Sequence, residues 1–158
     1  MRSILCFIGL CLVSLCVTAQ IGSLAEHAKV TWELDPTAST YNPGKVRKSD
    51  VRTYTIDGIK VHMDAKVVFQ DGKEIEIHYD AAYDGKDYPV AGNPKVQTIA
   101  LERVDARTTK TVTKRNGKVT AHGMGVVSAD GQTLKVHSSG TDEDGIAYDD
   151  TLVFHRRK

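Results

Sequence analysis

Cysteine is nearly missing from this chain of 158 residues, and its three occurrences, Cys6, Cys11 and Cys16, all fall within the first sixteen positions. Beyond them there is no thiol for a disulfide, a thiolate metal site or a thiol nucleophile, so a fold in that region rests on core packing. Net charge is also lacking: 21 basic residues face 20 acidic ones, for +1 at neutral pH. Without an excess of one sign, no long-range field draws the chain to nucleic acid or to an anionic bilayer, and neither is expected as a partner. No Gly-x-Ser-x-Gly elbow, phosphate loop or dinucleotide fingerprint occurs. Apolar runs are short as well. The longest, residues 4–17, falls below the roughly 20 residues that a membrane-spanning helix needs.

That run follows Met1-Arg2-Ser3 and precedes the small residues of Val17-Thr18-Ala19. It reads as a secretory signal peptide over residues 1–19, which leaves 20–158 as one domain, secreted or periplasmic, with no stable membrane insertion after cleavage. A lipid anchor on Cys16 is the alternative, but Leu15 stands where a small residue is required. Removal of Arg2 leaves 20 basic against 20 acidic residues. A domain of this length buries about two thirds of its extended-chain surface, enough for a real core.

What is present is turn chemistry at regular spacing. The centre of the pattern is the stretch 83–94, with Asp84-Gly85 and Gly92-Asn93-Pro94 as two turns and Tyr83 and Tyr88 facing each other across a four-residue loop at 84–87. Before it, Ser23-Leu24-Ala25-Glu26 has capping-box spacing and predicts a short helical turn ending by Lys29. A strand with the single tryptophan follows over 30–34, stopped by Asp35-Pro36, and 36–48 reads as a loop. Asp57-Gly58 predicts a hairpin with Ile56 opposite Ile59. Residues 59, 61, 63, 65, 67 and 69 then share an apolar face. A three-residue loop at 70–72 sets Val67 opposite Ile75, Ala65 opposite Ile77 and Met63 opposite Tyr79. A two-residue loop would exchange the faces. After the centre, turns are expected at 105–107, Asn116-Gly117, 129–131 and 141–145. A three-residue loop at 129–131 pairs Val126 with Leu134 and Met124 with Val136, and puts His122 on the same inward face. Leu152 and Phe154 point inward on the last strand.

The result is an all-β, antiparallel up-and-down meander of about 8–10 strands. Closure into a barrel removes the two exposed edges of such a sheet; an open two-layer sandwich is the alternative.

The first strand, Val30-Thr31-Trp32-Glu33-Leu34, and the Gly-punctuated meander resemble the lipocalin and fatty-acid-binding-protein (calycin) group. Asn116-Gly117-Lys118, Asp130-Gly131-Gln132-Thr133-Leu134 and Thr151-Leu152-Val153-Phe154 resemble the final strands of such barrels. The chain is similar, over more of its length, to small exported bacterial proteins of unknown function with a Trp-x-Leu-Asp-Pro start and a Tyr-Asp-Gly-Lys-Asp-Tyr-Pro-Val core, here 32–36 and 83–90. The calycin resemblance implies a lipophilic ligand in the barrel and a late arginine, Arg156 or Arg157, stacked on Trp32. The Arg-x-Tyr pair of the fatty-acid binders is replaced at its matching positions by Leu152 and Phe154.

Six histidines invite a metal site, but His27, His62, His78, His122, His137 and His155 lack His-x-His or paired spacing. Residues 142–145 lack the alternating oxygen ligands of a calcium loop. No metal or cofactor and no catalytic residue is therefore assigned. Trp32, Tyr54, Met63, Tyr79, Tyr83, His122, Met124 and Phe154 are the candidate pocket lining, since aromatic and methionine side chains in a small barrel either fill the core or line an adaptable pocket. The leading expectation is a monomeric exported binding protein for a small apolar or amphipathic ligand. The alternative is a filled-core barrel that acts through its surface on proteins or the cell envelope.

Overall fold

A computed structural model describes residues 27–141 and 145–158. The signal-peptide segment and the acidic turn at 142–144 lie outside the described residues. Ten strands follow in order: β1 (His27–Thr40), β2 (Arg47–Asp57), β3 (Lys60–Phe69), β4 (Glu74–Ala82), β5 (Asp84–Pro89), β6 (Thr98–Arg103), β7 (Thr108–Arg115), β8 (Lys118–Val127), β9 (Thr133–Thr141) and β10 (Ala147–Arg156). Every ladder is antiparallel and joins sequence neighbours, except that β1 also pairs with β10. The sheet therefore wraps round on itself as the expected meander, with β4 and β5 as its two edges.

One isolated bridge among the described residues ties β4 to the chain just beyond β5. His78 N–H donates to Ala91 O at 3.1 Å and Ala91 N–H returns to His78 O at 3.0 Å. Gly92 (φ +79) follows immediately, and a Cβ there would stand 1.6 Å from the Glu76 carbonyl oxygen, so only glycine lets the seam close. The barrel is nearly closed, and none of the described residues is helical. Residues 27–29 belong to β1, so the expected helical turn does not extend into the described part of the chain.

Proline does not stop β1 at residue 35. Asp35 pairs with Val153 but Thr40 pairs with Thr151, so three extra residues bulge out around Pro36. The Asp35 carboxylate holds the bulge by accepting from the Thr37 hydroxyl, 2.6 Å, and from the Thr37 and Ala38 N–H groups. Those bonds, the Thr37 hydroxyl first, lower its pKa to about 2. Ser39 Oγ then accepts from Val153 N–H at 3.0 Å and restores the contact that the bulge removes.

The β3–β4 hairpin has the expected register, with Val67, Ala65 and Met63 opposite Ile75, Ile77 and Tyr79. The β2–β3 turn uses Gly58-Ile59 instead of Asp57-Gly58, so Ile56 faces Val61 and Ile59 is exposed. The shift is two residues, so the inward faces are unchanged. The 83–94 corner is different from expectation. Residues 84–87 form no hairpin loop; Gly85 lies in a bulge of β5, which pairs with β6. Tyr88 does not face Tyr83; its hydroxyl donates to Asp84 at 3.0 Å.

The apolar residues point inward in two clusters. One gathers Ile56, Val61, Met63, Tyr79, Ile99 and Leu101; the other gathers Val30, Trp32, Leu34, Leu134, Leu152 and Phe154. Tyr54 packs against both. The outer face carries the charges, such as Lys60, Asp64, Lys66 and Asp80 along β3 and β4. This is the reverse of a barrel that spans a lipid bilayer.

Candidate functional site: the barrel interior

The two clusters leave space between them. An inner chamber of about 300 Å³ adjoins an outer one of about 280 Å³, and Arg47, Ile77, Val96, Thr113, Ser138 and Tyr148 border both. The inner chamber lies between Trp32, Tyr54, Met63 and Tyr79 on one wall and Thr109, Thr111, Gly123 and Gly125 on the other. The outer one reaches one end of the barrel, at Pro43, Lys45, Lys73, Lys95 and Arg115.

A charged cluster stands where the chambers meet. Period-two alternation on β2 sends Asp50, Arg52, Tyr54 and Ile56 inward, and an irregular pairing at Arg47 and Ser49 brings Arg47 to the same place. Asp50 is fully buried. Arg52 grips it with two bonds, Nε to Oδ1 at 2.9 Å and Nη2 to Oδ2 at 2.8 Å, while Arg47 donates to Oδ2 through Nη1. Burial pushes the Asp50 pKa up, but the two guanidinium groups, Arg52 foremost, outweigh it and hold it below the usual value. Burial likewise opposes the charge of Arg52, but Asp50 more than offsets it and raises its pKa. Arg52 also lies over the Phe154 ring, 4.7 Å from its centroid.

Arg47 is less saturated. Its side chain keeps 24% of its surface uncovered, yet burial is the largest influence on its pKa and lowers it. Arg47 borders both chambers. Among the described residues its guanidinium makes one hydrogen bond, to Asp50, and the other N–H groups have no acceptor there. Across the outer chamber the Asp150 carboxylate accepts the Asn42 N–H at 3.0 Å.

Below the inner chamber, burial and then the neighbouring Tyr54 push the Tyr79 phenol well above its ordinary pKa, and burial also raises that of Tyr83. Arg103 stacks on the Tyr83 ring at 4.3 Å. Its Nε and Nη2 are buried without a hydrogen-bond acceptor among the described residues.

Of the eight residues expected to line a pocket, Trp32, Tyr54, Met63, Tyr79 and Tyr83 border the inner chamber. Phe154 points inward but is completely buried beneath Arg52, and it does not border either chamber. His122 and Met124 face outward. Val127, not Val126, pairs with Leu134, and Gly125, not Met124, pairs with Val136. The loop closes between Ser128 and Thr133, with Ser128 N–H on Thr133 O at 2.8 Å, and so holds four residues instead of three. That single residue exchanges the faces of β8. Of the two late arginines, Arg156 stands directly across from Trp32 in the β1–β10 ladder and Arg157 pairs with Glu33 at 3.6 Å; among the described residues the arginines stacked over a ring are Arg52 and Arg103. The sequence reading missed Arg47, Asp50 and the inward threonines of β7, although the parity of 50, 52, 54 and 56 carried the signal for Asp50.

Among the described residues no three His, Cys, Asp or Glu side chains are grouped to hold a metal ion. Comparison with family models, with curated proteins and with solved structures returned no match to this chain.

Proposed function

We propose that the protein is an exported carrier that holds one small amphipathic molecule inside the barrel. The observation that carries this reading is the pair of adjoining chambers with Arg47 at their junction. The apolar part of the ligand lies between Trp32, Met63 and Tyr79, and an oxygen-bearing or acidic end meets the N–H groups of Arg47. Chambers of about 300 and 280 Å³ count against the filled core that a purely surface-acting barrel would have. The charged outer face fits a molecule that travels in water.

Native mass spectrometry of the protein after export from a bacterial host tests this. The expected result is an excess mass that disappears on organic extraction. A clean unliganded mass that persists after incubation with a mixed lipid extract rules the carrier out.

A further inference from the structure

The four-residue loop between β8 and β9 also decides what the outside of the barrel presents. Met124 stands directly across from His137 in the ladder. His122, two residues along β8, shares their exposed face, and all three border one shallow depression on the outer wall. Side chains directly opposite in an antiparallel pair have Cβ atoms about 5 Å apart, and those two apart on a strand lie about 7 Å apart. Two imidazoles and a flexible thioether can therefore converge on one point above the sheet. His137 is already oriented: its Nε2 bonds Asp149 Oδ1 on β10 at 2.9 Å. A carboxylate on the second ring nitrogen is the usual way a ligating histidine is held, with the other nitrogen directed at the metal. Among the described residues no hydrogen-bond partner competes for His122.

We propose that His122, Met124 and His137 form a surface site for a soft monovalent metal ion, Cu(I) or its redox-inert analogue Ag(I). Thioether sulfur favours such ions, whereas Zn²⁺ is held best by three or four imidazole, thiolate or carboxylate ligands, and this patch offers two imidazoles with a thioether as the third ligand. The local charge agrees. Lys110 lies across from Met124 on the other side, Glu102 lies across from Lys110, and the Asp149 carboxylate is held by His137, so the site carries only a small net charge and offers a dication little electrostatic gain. Selectivity then comes from the sulfur. Binding leaves the barrel interior untouched, so this site and the proposed carrier stand or fall separately.

Methionine methyl NMR reads the two regions at once, because Met124 borders the outer depression and Met63 the inner chamber. Any cysteine that the purified chain retains is first capped with N-ethylmaleimide. Silver nitrate is then expected to move the Met124 methyl signal to saturation at one equivalent and to leave Met63 in place, while zinc chloride moves neither. Calorimetry is expected to lose the one-to-one silver binding in Met124→Leu and in His137→Gln, and to show it weakened by about tenfold in Asp149→Asn. An unmoved Met124 methyl overturns the proposal. So does a shift that persists in the His122→Gln/His137→Gln double variant, which would mark thioether contact alone, or an equal response to zinc.

Discussion

The two walls of the barrel are built on different scales. β1 to β4 turn tryptophan, tyrosine, methionine and a charged triad inward, whereas β7 to β9 turn mostly threonine, alanine, glycine and serine inward, with Val127, Leu134 and Val136 as their larger residues. Space exists inside because a bulky wall faces a small one; two walls like β2–β4 would fill the barrel. The bulky wall carries most of the buried apolar residues together with Asp50, the one fully buried charge among the described residues. Asp50 is therefore where the largest effect should lie. Asp50→Asn keeps the shape but leaves Arg47 and Arg52 confined without a counter-charge, a change that typically costs about 3–5 kcal/mol. Urea unfolding of the variant should show a loss in this range. A loss under about 1 kcal/mol would mean that water in the chambers already screens the pair and that the two walls differ less than their side chains suggest.

The small wall makes a graded prediction. A Cβ at Gly140 would stand 2.1 Å from the Thr120 carbonyl oxygen, so β8 and β9 approach too closely for any side chain. Gly140→Ala must push backbone aside and should cost about 1–3 kcal/mol, measured in the same unfolding assay. A Cβ at Gly125 meets nothing closer than Leu134 Cδ1 at 3.6 Å, and it borders the inner chamber. Gly125→Val should stay within about 1 kcal/mol of the parent protein, because valine suits a strand and enters open space. It should nevertheless weaken binding of an anionic amphipathic probe such as anilinonaphthalene sulfonate, read by its fluorescence. Unchanged probe binding in Gly125→Val would show that the small wall does not define the binding space.

Most of the bulky wall is legible in the sequence, and the reasons are local. In β3 and β4 the apolar residues alternate strictly and the loop at 70–72 permits one register that keeps Met63, Ala65 and Val67 with Tyr79, Ile77 and Ile75. Even the misplaced turn at Gly58-Ile59 did no harm, because an error of two residues preserves the faces. The small wall resists the same reading. On β8, Ala121, Gly123 and Gly125 alternate with His122, Met124 and Val126, so burial by hydrophobicity selects the larger set, and that set faces solvent. Close packing, not apolar content, matches the orientation: a Cβ at Gly123 would meet the Thr111 hydroxyl and one at Gly140 the Thr120 carbonyl, which shows only once β7, β8 and β9 are assembled. The charged triad is hidden for a related reason. Asp50 and Arg52 look like surface residues until Arg47 is brought to them by an irregular pairing that has no signature in the sequence.

The smallest expected effect lies on the outside of the bulky wall and gives it a pH signature. His62 bridges β3 and β4, with Nδ1 2.8 Å from Asp80 and Nε2 2.9 Å from Asp64. The hydrogen bond to Asp80, then that to Asp64, raises its pKa above the ordinary 6.5. A group whose pKa is higher in the folded state stabilises that state fully below its unfolded pKa, and the contribution fades as pH rises through the folded value. Asp50 behaves oppositely: its lowered pKa stabilises the fold above about pH 3.9 and the contribution fades as pH falls through the folded value. Between about pH 4 and pH 6.5 both contributions are complete, so unfolding free energy in urea should be highest there and decline on either side. His62→Gln should remove the decline above pH 6.5 and leave the acid limb unchanged, whereas Asp50→Asn should make the acid limb shallower and leave the share of Asp35 and the other lowered carboxylates. If His62→Gln leaves the neutral limb as steep as before, the outer bridge adds nothing, and the stability of the bulky wall comes from its interior.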